Sequence, residues 1–441
     1  MSFPIEWAKF VPKPRPLAGG NKYHVFLSYR SVNRAWALNL YDVLRAHGHE
    51  VFLDQCVLKA GDPLIKQLEA GLTGSQAGVL VWSSATADSE WVFREYSTME
   101  ARTTKQPGFQ FVPVRLDASE LPTFAQTRVF LDFSAYPDGP NGGELLRLLH
   151  AIVGQPLSPE AAHFANVQDE ASTLAAAQIA AAIKQGRPER LMQLFNDDGP
   201  PWQTSSALGC KAAEGLTKLG RNDEAIQMLD ALEKDFPRAI RPKQLRALAL
   251  ARRAQQRRKA GDAAYEKDLL AAQDIVGVLY ESGERDPETL GIYARTWMDR
   301  YDASGDLADL RQSRDLYAEA FEAAQDDYYT GINAAAKSVL LGGPEDLDKG
   351  AAYARRVQEI VGTDKHPNDY WKTATVAEAF LMQRDFAKAA EMYDAAVAMA
   401  PKEVASHTTT WTQASRLLEK LAPSAEERAL VQKPFEHKNR P

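Results

Sequence analysis

Short apolar runs and helical patterns alternate along the first third of the chain. Between the runs, apolar residues recur at helical intervals, as in WALNLYDVLRAHG, where Trp36, Leu40 and Val43 precede a stop at Gly48. The runs are short enough for strands: YHVFLS (Tyr23–Ser28), EVFLD (Glu50–Asp54), AGVLVW (Ala77–Trp82), FQFVPV (Phe109–Val114) and RVFLDF (Arg128–Phe133). The alternation predicts an open α/β domain over residues 23–155, with a five-stranded parallel sheet and helices on both faces.

In a sheet of this kind, the ligand crevice lies beyond the carboxyl ends of the strands. Three of these ends carry polar or charged residues: Ser28, Tyr29 and Arg30 after the first strand, the segment from Asp54 to Lys59 after the second, and Ser83 and Ser84 after the third. The helix expected after the second strand has Asp62 as its N-cap and Pro63 as its first residue.

A proline-marked junction, QPLSPEAA at residues 155–162, separates this domain from an alanine-rich helical pattern. Two stretches there, residues 212–237 and 376–401, align in small residues and in their final prolines. The pairs Ala213 with Ala377 and Ala225 with Ala389 stand where helices must approach closely. We predict a helical domain of four to six helix pairs over residues 156–430, a flexible N-terminal arm over residues 1–22, and a C-terminal tail over residues 431–441.

The composition limits the cellular location and the partners that we expect for the protein. The chain has 441 residues with a formal net charge of −7, and its longest apolar runs are too short to cross a bilayer. Cys56 and Cys210 are the only cysteines and stand far apart, which favours a reducing cytoplasm. The acidic balance argues against nucleic acid as a partner of the whole protein. We find no metal-ligand spacing, dinucleotide fingerprint or phosphate loop in the sequence.

Three segments together resemble a TIR domain (Toll/interleukin-1 receptor domain), which has a flavodoxin-like fold. They are VFLSYRS at Val25–Ser31, VFLDQCVLKAGD at Val51–Asp62, which includes the family's BB loop, and SEWVFRE at Ser89–Glu95. The later helical pattern resembles the tetratricopeptide repeat, a helix-turn-helix unit of about 34 residues. Its amino-acid sequence is also similar to the TRAFs-binding type of that domain. This combination is typical of bacterial TIR proteins.

The TIR family includes signalling adaptors and enzymes that cleave the nicotinamide-ribose bond of NAD⁺. That reaction releases neutral nicotinamide from a cationic pyridinium, so it needs a carboxylate for the developing oxocarbenium ion and no general acid. The resemblance implies Glu95 as that carboxylate, with Trp91 one helical turn earlier packing against nicotinamide or ribose. A solvated helix carboxylate is the alternative interpretation of Glu95.

The other expected contacts to NAD⁺ come from Ser28, Tyr29, Arg30 and Ser83 at strand ends, with no separate cofactor. Asp54 and Lys59 are further candidate substrate-binding residues, with loop solvation as the alternative. They belong to the BB loop, through which TIR domains of this family associate. The resemblance therefore implies self-association.

The stretch Arg238–Lys259 carries nine basic and no acidic residues. Acidic neighbours within the fold are its expected partners, and nucleic acid is not, because stacking aromatics are absent. We expect a cytoplasmic NAD⁺ nucleosidase that forms ADP-ribose or cyclic ADP-ribose in defence or signalling. Its helical repeats would act as a sensor or oligomerisation module and would bind a protein or peptide. The alternative is a non-enzymatic TIR scaffold.

Overall fold

The computed structural model of the chain describes residues 4–17, 19–30, 33–53, 64–86, 90–121, 129–136, 139–197, 199–323, 327–401 and 403–436. Within these ranges, the side chains of residues 64–68, 85, 90–96, 200, 323 and 405 are not described. The chain divides into two compact units, Met1–Asp268 and Leu269–Pro441. Among the described residues, no helix is both long and apolar enough to cross a membrane.

The first unit contains the five-stranded parallel sheet that the sequence predicts. Its strands are β1 (Tyr23–Ser28), β2 (Val51–Phe52), β3 (Ser75–Trp82), β4 (Gln110–Arg115) and β5 (Leu131–Asp132). Their spatial order is β2-β1-β3-β4-β5, and every neighbouring pair is parallel. This is the flavodoxin-like order, in which the strand sequence reverses direction between β1 and β3 and opens a crevice there.

Helices surround the sheet: α1 (Ile5–Ala8), α2 (Arg34–Ala46), α3 (Leu64–Thr73), α4 (Glu90–Lys105) and α5 (Gly142–Val153). Gly48 follows α2 with a φ of +80°, a left-handed conformation that suits a glycine and stops the helix as predicted. The predicted cap at Asp62 and Pro63 lies outside the described residues. Predicted and observed strands differ in length, since among the described residues β2 and β5 each include only two from their apolar runs.

The rest of the first unit is helical. Its helices are α6 (Pro159–Lys184), α7 (Pro188–Asn196), α8 (Pro200–Gln203), α9 (Ala207–Lys218), α10 (Asn222–Asp235) and α11 (Ile240–Lys259). Ser158 caps α6 by accepting a hydrogen bond from the backbone of Ala161, with Pro159 at the first helical position. The proline-marked junction of the sequence is therefore a helix start. Ala213 and Ala225 are fully buried where α9 and α10 pack together.

The remaining helices belong to the second unit, except that α12 begins just before the division between the units. They are α12 (Tyr265–Glu281), α13 (Pro287–Ser304), α14 (Leu307–Ala323), α15 (Tyr328–Leu341), α16 (Pro344–Val361), α17 (Tyr370–Met382), α18 (Phe386–Met399), α19 (Val404–Leu421) and α20 (Ala425–Gln432). Ala377 and Ala389 are fully buried between α17 and α18, as Ala213 and Ala225 are between α9 and α10.

The described chain thus packs α9 with α10, α13 with α14, α15 with α16, and α17 with α18. The sequence-based fold class, an α/β domain followed by tetratricopeptide-like helix pairs, is confirmed. The predicted boundary between residues 155 and 156 stays a prediction, because the division into compact units falls further along, within the helices.

The described part of the N-terminal arm packs against helix α6, while the expectation of a flexible arm stays a prediction. Trp7 is fully buried, and its ring nitrogen donates to the side chain of Gln168 on α6 at 3.3 Å. Phe10 stacks on Phe164 of the same helix at 4.7 Å between ring centroids. The prolines and glycines of the arm suggested flexibility, but two of its aromatic side chains find apolar surface on α6.

Two polar anchors join the α/β domain to the helices of its own unit. The side chain of Asn141, at the start of α5, donates to the carbonyl of Pro201 at 2.9 Å and accepts from Thr204 at 3.0 Å. Asn39 on α2 accepts from Ser206 at 2.9 Å. All these groups are buried and have hydrogen-bond partners, so the interface is specific as well as apolar.

Candidate functional site

The carboxyl ends of β1 and β3 flank the crevice at which the strand order reverses. Ser28 ends β1 and pairs in register with Leu80, and Ser83 follows the last residue of β3. Both serines are almost fully buried. The sequence placed both at the site as binding residues, and the sheet brings them to the same edge of neighbouring strands.

Asn33 links the segment after β1 to the segment after β3. Its side-chain nitrogen donates to Ser83 Oγ at 2.9 Å and lies 3.4 Å from Thr86 Oγ1. Thr86 Oγ1 also accepts from the backbone nitrogen of Ser83 at 3.1 Å. This network fixes the rotamer of the Ser83 hydroxyl, so the floor of the crevice is formed before any ligand binds.

A third strand end contributes Asp117, which follows β4. Its carboxylate accepts from the backbone nitrogen of Ser84 at 2.7 Å and from that of Ser119 at 3.0 Å. Burial alone would raise the pKa of Asp117, but hydrogen bonds from Ser119 and Ser84 outweigh it and lower the pKa to about 2. Asp117 is therefore a permanent anion that holds the turn after β3 in place.

Tyr29 and Arg30 are half-buried just beyond β1, where the sequence expected them. The carbonyl of Arg30 accepts from the backbone nitrogen of Asn33 at 2.8 Å, which turns the chain toward α2. Asp54 and Lys59 lie outside the described residues.

Helix α4 begins soon after β3 and carries the predicted catalytic residue. Glu95 and Trp91 belong to its first two turns, and their side chains are among those not described. Because α4 follows the carboxyl end of β3 along the chain, its first turns lie on the crevice side of the sheet. The backbone thus brings the segment with Glu95 toward the strand ends that hold Ser28 and Ser83.

The middle of α4 is pressed closely onto the sheet. Met99 is fully buried, and it packs over Gly78 of β3 so tightly that a Cβ on that glycine would stand 2.6 Å from Met99 Sδ. The absence of a side chain at Gly78 lets the helix and the strand approach. The register of α4 on the sheet therefore depends on this contact.

Arg102 fixes the C-terminal half of α4. Its guanidinium is buried, donates to the carbonyls of Leu72 and Ser75 and to the side chain of Gln106, and stacks on Phe109 at 4.0 Å from the ring centroid. Burial lowers the pKa of this arginine, which nevertheless remains a cation at neutral pH. With Met99, it holds the helix that carries Glu95 in a single position.

Sequence reasoning missed Asn33, Thr86 and Asp117 as parts of this site. The one available signal was position, since all three residues lie within a few residues of a strand end. A pattern of apolar runs does not show which of several polar loop residues will face one another.

Part of the positive charge of the basic helix α11 is paired with carboxylates within the fold, as the sequence analysis favoured. Arg246 pairs with Glu233 at 3.0 Å, and Arg253 and Arg257 both bind the buried carboxylate of Asp268, at 2.6 and 2.7 Å. Charges held by neighbouring carboxylates are less available to phosphates. This arrangement supports the expectation that nucleic acid is not the partner of α11.

Two family models match the chain. Residues 25–147 match the model described as "TIR domain", and residues 216–341 match the model described as "Tetratricopeptide Repeats-Sensor". The protein therefore has a TIR domain near its N-terminus, followed by tetratricopeptide-like sensor repeats.

Several curated proteins are similar to the TIR part. The "2' cyclic ADP-D-ribose synthase BtTIR" of Bacteroides thetaiotaomicron is 30% identical over 93 residues, which are 21% of this chain and 31% of that protein. The "Probable 2' cyclic ADP-D-ribose synthase BdTIR" of Brachypodium distachyon is 33% identical over 96 residues, which are 21% of this chain and 43% of that protein. The "Probable 2' cyclic ADP-D-ribose synthase TcpB" of Brucella melitensis biotype 1 is 32% identical over 81 residues, 18% of this chain and 32% of that protein.

The chain thus spans less than half the length of these curated relatives. Among solved structures, a thermophilic tetratricopeptide repeat protein of Thermus thermophilus aligns with a TM-score of 0.35 and 16% identity, covering 49% of this chain and 98% of that one.

Proposed function

We propose that the protein is an NAD⁺ nucleosidase that cleaves the nicotinamide-ribose bond at the TIR crevice. The observation that carries the proposal is the likeness of the TIR part to proteins named as cyclic ADP-ribose synthases. The order of the elements supports it, because α4 begins soon after the carboxyl end of β3, one of the two strands at which the strand order reverses. NAD⁺ is the substrate in this proposal, and no further cofactor is required.

In the proposed reaction, the bond between the ribose C1′ and the pyridinium nitrogen breaks, and its electron pair leaves with neutral nicotinamide. The ribose becomes an oxocarbenium ion, which the Glu95 carboxylate stabilises. Water or a hydroxyl of the same substrate then attacks C1′ and loses a proton, which gives ADP-ribose or a cyclic product. The names of the relatives favour a cyclic product.

The substrate contacts follow from the strand ends. Trp91 packs against nicotinamide or ribose, Ser28 and Ser83 line the floor of the crevice, and Tyr29 and Arg30 meet the nicotinamide and the phosphates. The network of Asn33 and Ser83 supports this assignment, because it fixes the floor of the crevice in advance.

The test compares nicotinamide release from NAD⁺ by the wild type, by Glu95→Gln and by Glu100→Gln, with and without a crowding agent. Glu100 lies on the same helix, five residues further along and beyond the first two turns. We expect Glu95→Gln to lose at least about a hundredfold in rate, the scale found when a group that stabilises transition-state charge is removed. Glu100→Gln should retain activity.

Equal release by Glu95→Gln and the wild type would remove Glu95 from the mechanism. No release by the wild type under any assembling condition would favour the alternative function, a TIR scaffold that recruits proteins. Chromatography of the products separates linear from cyclic ADP-ribose.

We further propose that the helical repeats sense a protein or peptide trigger, and that TIR domains associate through the segment containing Asp54 and Lys59. The description of the second family model as a sensor supports the first point. The proposal also includes the location of this activity, a reducing cytoplasm, and its role, which is bacterial defence or signalling. Light scattering of the protein before and after addition of a candidate trigger would test the association.

A further inference from the structure

The turn between α17 and α18 holds an arginine in a backbone conformation that side chains disfavour. Arg384 has a φ of +65°, in the left-handed region that glycine adopts readily and other residues rarely do. The aligned turn between α9 and α10 has Gly220 at the corresponding position, with a φ of +76°. The turn therefore forms around a glycine without this cost. An arginine kept in that conformation indicates a role for its side chain outside the turn.

The side chain of Arg384 lines a hollow of about 380 Å³ in the second unit, which the proposed reaction does not use. The other lining residues belong to the same turn, to the start of α18 and to α20: Gln383, Asp385, Phe386, Ala387, Glu427 and Leu430. Phe386 is buried, whereas Leu430 is 44% exposed. One side of the hollow is therefore apolar and open to solvent.

Opposite charges line this hollow without neutralising each other. Arg384 is exposed, and its guanidinium has neither a hydrogen bond nor an ion pair among the described residues. Asp385 accepts from the backbone nitrogen of Lys388 at 3.1 Å, and its other oxygen lies 3.9 Å from Lys388 Nζ. Glu427 accepts from the backbone nitrogen of Ser424 at 2.8 Å. Both carboxylates are thus fixed as helix caps, while the guanidinium keeps its donors for a ligand.

A ligand with both charges and an apolar group matches all sides of the hollow. A carboxylate accepts two parallel hydrogen bonds from a guanidinium such as that of Arg384. An ammonium group is attracted by Glu427, and an alkyl group covers the exposed side chain of Leu430. An anion alone would be repelled by the carboxylates, and a cation alone would be repelled by the guanidinium. The lining therefore favours a zwitterion.

We propose that this hollow binds a free apolar α-amino acid, with its carboxylate on Arg384, its ammonium group on Glu427, and its side chain against Leu430 and Phe386. The volume lies within the range of small-molecule sites. Because Arg384 and Leu430 are both exposed, a ligand reaches them directly from solvent. The proposal is independent of NAD⁺ cleavage.

Isothermal titration calorimetry of the full chain tests the proposal with four probes: L-leucine, L-leucinamide, 4-methylpentanoate and glycine. Leucinamide lacks the carboxylate, 4-methylpentanoate lacks the ammonium group, and glycine lacks the apolar side chain. We expect L-leucine to bind the wild type, and each of the other three probes to bind at least about tenfold more weakly.

Arg384→Gly is the decisive variant, because it removes the guanidinium and suits the turn as Gly220 does. It should bind L-leucine at least about tenfold more weakly, while its midpoint of urea unfolding equals or exceeds that of the wild type. Arg384→Lys keeps the charge and loses the donor fork, so it should bind with intermediate affinity. Arg355→Gln, at an exposed arginine of α16 that does not line the hollow, should bind as the wild type does.

Glu427→Gln tests the other end of the ligand, since glutamine keeps a capping side chain and removes the charge. It should weaken the binding of L-leucine and leave that of 4-methylpentanoate no weaker. Equal binding of L-leucine and L-leucinamide, unchanged binding in Arg384→Gly, or no binding of L-leucine to the wild type would each overturn the proposal. Equal weakening in Arg384→Gly and Arg355→Gln would reduce the effect to general charge and would also overturn it.

Discussion

Asp42 lies on α2, where that helix packs against the helical part of its own unit, and only 9% of its surface is exposed. Neither carboxylate oxygen has a hydrogen-bond partner among the described residues. Burial raises the pKa of Asp42 from 3.8 to about 7, although the nearby cations of Arg238 and Lys243 act in the opposite direction. This aspartate therefore titrates near neutral pH.

The size and sign of the effect on stability follow from these two pKa values. Between pH 4 and 7, the folded protein keeps a proton on Asp42 that the unfolded chain has lost, so the free energy of unfolding falls as the pH rises. Each pKa unit corresponds to about 1.4 kcal/mol, which makes the buried charge cost about 4 kcal/mol above pH 7. Asp42→Asn removes this penalty while keeping the shape of the side chain.

The assay is urea unfolding of the wild type and Asp42→Asn at several pH values between 4 and 8.5. The difference in unfolding free energy between the two proteins should shift in favour of the variant by about 1.4 kcal/mol for each pH unit from about 4 to 7, and should be constant above that range. Burial lowers the pKa values of His47 and His49 to about 4 and about 3. Their contributions to the pH dependence of unfolding are the same in both proteins and cancel in the difference. Asp235→Asn, at an exposed aspartate, serves as control. A difference that does not change with pH would refute the reasoning.

Two further predictions concern packing. Gly78→Ala places a Cβ against Met99 and should cost about 1–3 kcal/mol of unfolding free energy. It should also slow nicotinamide release, whereas Gly108→Ala, where a Cβ meets nothing within 4 Å, should change neither. Trp7→Ala should cost about 3–5 kcal/mol in urea unfolding. Ile5→Ala, at a side chain that is 82% exposed, should cost little, and equal losses for the two arm variants would contradict the burial of Trp7.

The sheet and the helix pairs could be predicted because each leaves a local pattern. A parallel strand buried on both faces is a continuous apolar run, and paired helices repeat small residues such as Ala213 and Ala377. Strand ends were less predictable. The run around β5 contains six residues, yet of those that the structure describes only Leu131 and Asp132 pair with β4, because pairing depends on a neighbour that the run itself does not specify.

The residues of the candidate site also differ in how well the sequence predicts them. Ser28 and Ser83 follow strands, so their shared edge could be predicted from order alone. Glu95 as the catalytic residue stays a prediction, since its side chain is not described. The contacts of Trp7 with α6 and the burial of Asp42 could not be predicted, because each depends on a partner more than a hundred residues away along the chain.

The buried hydrogen bonds of Asn141 and Asn39 limit the positions at which this chain can be joined to parts of other proteins. An exchange of TIR domains at the junction near residue 155 would separate Asn141 from Thr204 and Asn39 from Ser206, leaving polar groups buried without partners on both sides. The smallest segment that can be inherited or transplanted without this cost extends past Ser206, to the start of α9. Recombination would therefore favour chimeras in which the first helices stay with the TIR domain and only the later repeats are replaced.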